Sequence, residues 1–114
     1  MAFLRLTGRW NILQDNGFIV EVIIVTQDDA SSMWGHASHS NGTVRSNNLQ
    51  GYVIDEYLDM RILWNDGTEG HYRGKLIRGR FDPPGVGHLE GETYDERNPE
   101  SRADWHTNET FNIR

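Results

Sequence analysis

Along the chain a glycine repeatedly stands midway between two larger side chains, in the pattern apolar-x-Gly-x-apolar. It occurs at Leu6-Thr7-Gly8-Arg9-Trp10, Met33-Trp34-Gly35-His36-Ala37, Leu49-Gln50-Gly51-Tyr52-Val53, Tyr72-Arg73-Gly74-Lys75-Leu76 and Ile77-Arg78-Gly79-Arg80-Phe81, and it ends on threonine at Leu89-Glu90-Gly91-Glu92-Thr93. In a strand, residues i, i+2 and i+4 share a face, so each glycine points the same way as the two residues that bracket it. Glycine weakens an isolated strand and is kept where a sheet bends sharply or another group approaches the backbone. Rolling a sheet into a narrow tube demands both, because the strands coil strongly and the interior volume is limited. Closure also removes exposed sheet edges. The pattern therefore predicts a small barrel with glycines on its inner wall. A two-sheet sandwich with glycine bends at its corners is the alternative.

The rest of the chain agrees with an all-β reading. Period-two alternation recurs from end to end, and no window repeats apolar residues at helical spacing over three turns. Turn residues cluster at Gln14–Gly17, Gln27–Ser31, Ser40–Thr43, Asn65-Asp66-Gly67, Asp82-Pro83-Pro84-Gly85 and Asn98-Pro99. Asn65-Asp66-Gly67 between Arg61–Trp64 and Gly70–Arg73 is a strong hairpin signal. With 114 residues and no linker or low-complexity tract, residues 1–114 read as one domain. The expected architecture is an antiparallel up-and-down meander barrel of about eight strands.

Composition narrows the function. No run of ~18 apolar residues exists, so no membrane partner is expected. Met1–Trp10 lacks the apolar stretch and cleavage site of a secretory signal, which suits a cytoplasmic or already trimmed chain. There is no cysteine, hence no disulfide, thiol nucleophile or thiolate metal site. A net charge of −6 argues against nucleic acid as a partner, and Lys75, Arg78 and Arg80 read as solvated strand edges. His36 and His39, three apart on a strand, point to opposite faces. His36, His71 and His106 can meet outside the barrel only if their strands adjoin, so no metal and no cofactor is expected. Neither a Gly-x-Ser-x-Gly elbow nor a paired-carboxylate spacing supports catalysis, and the chain reads as a non-enzyme.

Period-two phasing places Trp10, Ala37, His39, Val53, Ile62, Trp64 and Tyr72 inside, followed by Leu76, Phe81, Leu89, Thr93, Trp105 and Phe111. Asp95 and Glu109 share that face. A carboxylate in an apolar barrel must sit at an open end, pair with a basic group or meet a ligand donor. On the second long strand, inward Phe18, Val20, Val22 and Ile24 leave Ile19, Ile23 and Val25 outside. With outward Trp34 and Tyr52 these form an apolar exterior, for which self-association into a dimer or tetramer is the natural expectation.

The opening Gly8-Arg9-Trp10, the successive Met33–Ala37 and Leu49–Tyr52, Ile62-Leu63-Trp64 with Tyr72–Leu76, and the closing Asn108-Glu109-Thr110-Phe111 together resemble the calycin barrels. Within that group they are similar to the avidin and streptavidin family, loosely but over nearly the whole chain. The resemblance implies an eight-stranded closed meander with a ligand cup at one end and assembly into dimers or tetramers. It assigns Trp64 to the apolar wall of the cup and puts Glu109 near the buried polar group that contacts a ureido ring. Asn11 lies one register from the family's ureido-binding asparagine. Ala37 and His39 stand where the family has tyrosine and serine, and Thr93 where it has a cup tryptophan, so a ligand other than tightly held biotin is implied.

The functional expectation is a non-catalytic binder whose cup, lined by Trp64, Trp105 and His39 with Glu109 and Asn11 as polar contacts, holds a small molecule. One alternative is a carbohydrate-binding module in which Trp34 or Tyr94 stacks on sugar faces. Another is an inhibitor-type barrel that binds protein through its loops.

Overall fold

The computed structural model describes residues 4–28, 32–39 and 42–113. Ten strands follow in chain order: β1 (Leu4–Arg5), β2 (Gly8–Gln14), β3 (Ile19–Gln27), β4 (Ser32–His39), β5 (Arg45–Ile54), β6 (Tyr57–Leu63), β7 (Glu69–Ile77), β8 (Val86–Asp95), β9 (Asn98–His106) and β10 (Phe111–Ile113). Every pairing is antiparallel, and β2 through β9 pair in sequence. Closure comes from β9 returning to β2, with Leu13 opposite His106 and Gln14 opposite Trp105. The result is a closed eight-stranded up-and-down barrel, consistent with a calycin-like architecture. Two short strands complete the seam lower down, where β10 runs along β8 after β9 has left it and β1 pairs with β10. No helix among the described residues is long and apolar enough to cross a membrane.

The alternation read in the sequence fills the tube. Trp10 and Ile12 on β2, Val20, Val22 and Ile24 on β3, and Leu58, Met60 and Ile62 on β6 are all buried in one continuous core. Gly35, Gly51, Gly74 and Gly91 keep phase with these residues, and each stands where a side chain would collide. A Cβ on Gly91 would be driven into the Arg73 carbonyl oxygen and would lie 2.6 Å from Gly74 Cα; one on Gly74 would lie 2.7 Å from the Trp105 ring. Strands β7 and β8 cross here with glycine opposite glycine, and Trp105 fills the space so released. Strong coiling and a large central side chain are thus the same fact seen twice.

Several expectations are corrected. Gly79 lies in the exposed β7–β8 connection, and Gly8 opens β2 on the exposed surface with a positive φ of 114°. Neither belongs to the inner wall. Phe81, in that same connection, is almost fully exposed, and Phe18 precedes β3 in a turn and is about half exposed. A flanking apolar residue fixes phase only while the chain remains a strand. The turn expected at Asn98-Pro99 occurs at Glu96-Arg97, and an unexpected two-residue turn at Asp55-Glu56 joins β5 to β6 with Asp55 at φ 54°. Of the other expected turns, residues 29–31 and 40–41 lie outside the described residues.

Candidate functional site

Three described hairpin turns crowd one end of the barrel, after β2, β6 and β8, together with Gly42–Val44 before β5. The β6–β7 turn is the best fixed. Trp64 N donates to Thr68 O and Gly67 N to Trp64 O. Asp66 Oδ1 accepts from Thr68 Oγ1 at 2.6 Å and Thr68 N at 3.0 Å, bonds that hold its carboxyl below the ordinary value. Asn65 ties this turn to β5, donating from its N to Arg45 O and accepting from Arg45 N. Trp64, the inward residue just before the turn, is thereby set as a wall, and its indole is buried.

His39 faces it from the end of β4. Its ring lies 4.5 Å from that of Trp64, centroid to centroid, and meets Phe18 edge-on at 5.3 Å. Its Nδ1 is buried and has no hydrogen-bond partner among the described residues. Burial lowers the pKa of the imidazole below 6.5, against a smaller opposing pull from Asp66, so the ring is poised to be neutral at neutral pH. The floor is Tyr72 on β7, whose hydroxyl donates to Gln14 Oε1 at 2.9 Å. Burial pushes the Tyr72 phenol up to about 12, offset in part by a hydrogen bond with Thr93. Between wall and floor is a hollow of about 160 Å³ that also reaches Gly70, Thr93, Asp95 and Ala103.

The structure divides the residues expected to form the cup. Trp64 and His39 meet in the hollow. Trp105 does not reach it: the indole is buried beneath Tyr72, ring centroids 6.3 Å apart, with Nε1 donating to Glu92 O. Asn11 and Glu109 do meet each other, but at the barrel seam. Glu109 Oε2 accepts from Asn11 N at 3.2 Å and from Asn11 Nδ2 at 3.5 Å. The side chain replaces ladder hydrogen bonds in the stretch between the β2–β9 pairs and the β1–β10 pairs. A separate groove of about 630 Å³ passes this point and shares no lining residue with the hollow. Asp95, at the mouth, accepts from Arg97 N.

Two residues of the hollow lie outside the expected cup set: Tyr72, which phasing placed only among the inward core, and Gln14. Gln14 follows Trp10 and Ile12 at the same period, so phasing carried one step further reaches it.

A second polar cluster lies on the outside wall. His71 Nε2 is 2.7 Å from Asp59 Oδ1, and its Nδ1 is 2.7 Å from both Glu96 Oε1 and the Tyr94 hydroxyl. Arg61 and Arg73 flank the two carboxylates at 3.7 and 3.5 Å. Both ring nitrogens are engaged, leaving none to face a ligand. His36, His71 and His106 occupy β4, β7 and β9, no two of which pair, and no group of three or more His, Asp or Glu side chains among the described residues is arranged to hold a metal ion. Comparison with protein-family models, curated proteins and solved structures finds no match.

Proposed function

We propose that the chain is a non-catalytic binding protein that holds one compact, ring-containing organic molecule in the hollow between Trp64, His39 and Tyr72. The single observation that carries this reading is the buried, unpartnered Nδ1 of His39 beside a fixed indole wall. Leaving a buried polar atom unpaired costs about 1–3 kcal/mol, which a ligand hydrogen bond would recover. An aromatic wall with a few convergent polar groups is the usual composition of a small-molecule site.

Size and polarity define the ligand class. About 160 Å³ corresponds to the liquid volume of about five water molecules at ~30 Å³ each, and falls below the ~300 Å³ at which pockets for drug-sized ligands begin. One flat ring with a donor or acceptor on its edge suits the slot. The loose resemblance to avidins supports a cup at this end. It does not favour biotin, because Ala37, His39 and Thr93 stand where that family has other residues and Glu109 is at the seam. Titration of a panel of small heteroaromatics, with biotin included, followed by tryptophan fluorescence and calorimetry tests the proposal. Saturable binding that Trp64→Ala and His39→Ala weaken at least tenfold is expected. Absence of binding across the panel, or binding indifferent to both substitutions, would overturn it.

A further inference from the structure

The outside of the barrel has two unlike halves. On β7–β9 the outward residues are mostly charged or polar, among them Lys75, Glu90, Glu92, Arg102 and Asp104. On β3–β6 they include Val25, Trp34, Tyr52, Ile54, Tyr57 and Leu63, each 42–59% exposed. The latter six lie on four consecutive paired strands, with Tyr52 opposite Ser32 and Ile54 opposite Tyr57. A shallow concavity of about 830 Å³ lined in part by Trp34, Tyr52 and Leu63 runs through them to His71.

We infer that this β3–β6 face is the contact surface of a homodimer, its occupant a second copy of the chain. Area is the first argument. At ~150–250 Å² for a whole aromatic side chain, the exposed parts of Trp34, Tyr52 and Tyr57 amount to about 300 Å². The three aliphatic residues raise that to about 500 Å², near the upper end of the ~300–600 Å² patch that a monomer ordinarily exposes. This is well over half of the ~800 Å² per partner in a standard interface, and the polar side chains between the rings can supply the remainder.

Charge is the second argument. The ionic groups beside the concavity are paired within the chain, Arg61 with Glu96 and Arg73 with Asp59, with His71 between the two carboxylates, while Asp55 and Glu56, exposed in the turn between Ile54 and Tyr57, make a charged rim at one end. In a molecule of net charge −6, this stretch of balanced charge between Trp34 and Tyr52 is where two copies meet with least repulsion. The same pairing argues against a saccharide. Sugars need free polar groups around the aromatic platform, whereas here Gln50 Nε2 donates to Asn48 Oδ1, the ion pairs are closed, and Val25, Ile54 and Leu63 offer sugars nothing to bond.

Sedimentation equilibrium of the full chain over a micromolar concentration series tests this, with a sugar panel run in parallel. The wild type is expected at twice 13.1 kDa, and Tyr52→Glu and Ile54→Lys, each made singly, at 13.1 kDa with an unchanged circular-dichroism spectrum. Glu92→Lys on the charged half is expected to keep the doubled mass. A wild type that is monomeric throughout, variants that keep the doubled mass, or a monomer that binds sugar through Tyr52 would each overturn the inference. Ligand titration of Tyr52→Glu separates this result from the cup, which the substitution does not touch.

Discussion

Substituting Gly91 by alanine tests the principle on which the barrel is built. In an open strand this change stabilises by about 0.5–1 kcal/mol, since alanine loses less freedom on folding. At Gly91 the new methyl would press on the Arg73 carbonyl oxygen and lie 2.6 Å from Gly74 Cα, where ordinary contact begins near 3.4 Å. The strands must therefore part by at least 3.4 − 2.6 = 0.8 Å. Ladder hydrogen bonds of ~2.7–3.2 Å do not survive such a shift at both ends of the pair. Two of them at about 1 kcal/mol each, with about 1–3 kcal/mol of overpacking strain, give a loss of about 3–5 kcal/mol. After the entropic gain about 2–4 kcal/mol remains, and at about 4 °C per kcal/mol for a domain of this size the melting temperature falls by about 8–16 °C. Thermal and urea unfolding followed by circular dichroism measure it. Gly74→Ala is expected to lose less, because its closest contacts, 2.7 Å, are with the Trp105 side chain and the nearest backbone atom, Glu90 O, lies at 3.0 Å, and to change the indole emission as well. A Gly91→Ala protein that melts at or above the wild-type temperature would refute the close approach of β7 and β8.

Three further outcomes follow from titrating and paired groups. The folded-state pKa of His39 lies below its ordinary 6.5, so its contribution to stability is complete above that pH and is lost as pH falls through the folded value. The difference in melting temperature between wild type and His39→Asn should accordingly shrink on acidification from neutrality, and a constant difference would contradict the burial assigned to this ring. Tyr72 has the opposite sign, since its folded value of about 12 keeps its stabilisation whole below 10 and removes it as pH rises toward 12. An alkaline absorbance titration should show one tyrosine ionising only as pH approaches 12, and Tyr72→Phe should delete that late step. His71→Ala leaves Asp59 and Glu96 without the ring that bridges them. A loss of about 2–4 kcal/mol is expected by urea unfolding, most of it recovered when Asp59→Asn is added.

The barrel was legible because one requirement writes itself into many positions. Each strand must alternate, and wherever two strands coil closely a side chain must be missing, so Gly35, Gly51, Gly74 and Gly91 mark the inner wall alongside Leu49, Leu76 and Leu89. The misreadings share a cause. Gly79 and Phe81 satisfy the same local pattern, but the chain has already left β7, and no neighbour-to-neighbour spacing records where a strand stops. The site is less legible still, because a cup is defined by which inward residues lie at the same height, and height depends on the shear of the closed sheet. His39 ends β4 and Trp64 follows β6 at the same rim, and their inward phase brings their rings together. Trp105 has the right phase but lies a layer deeper, under Tyr72. Asn11 and Glu109, 98 residues apart, meet because β9 and β10 break step along β8: the paired residue numbers sum to 196 for Glu90–His106 and to 198 for Gly87–Phe111. Two extra residues in the last strand swing Glu109 out of the interior alternation and into the seam, where its carboxylate stands in for a missing stretch of sheet. Restoring the step by deleting two residues from Thr107–Thr110 should turn the seam into continuous ladder while leaving Trp64, His39 and Tyr72 in place, so that amide exchange slows at Asn11 and the binding proposed for the hollow is unchanged. Loss of binding on that deletion would mean that the seam and the cup are one site rather than two.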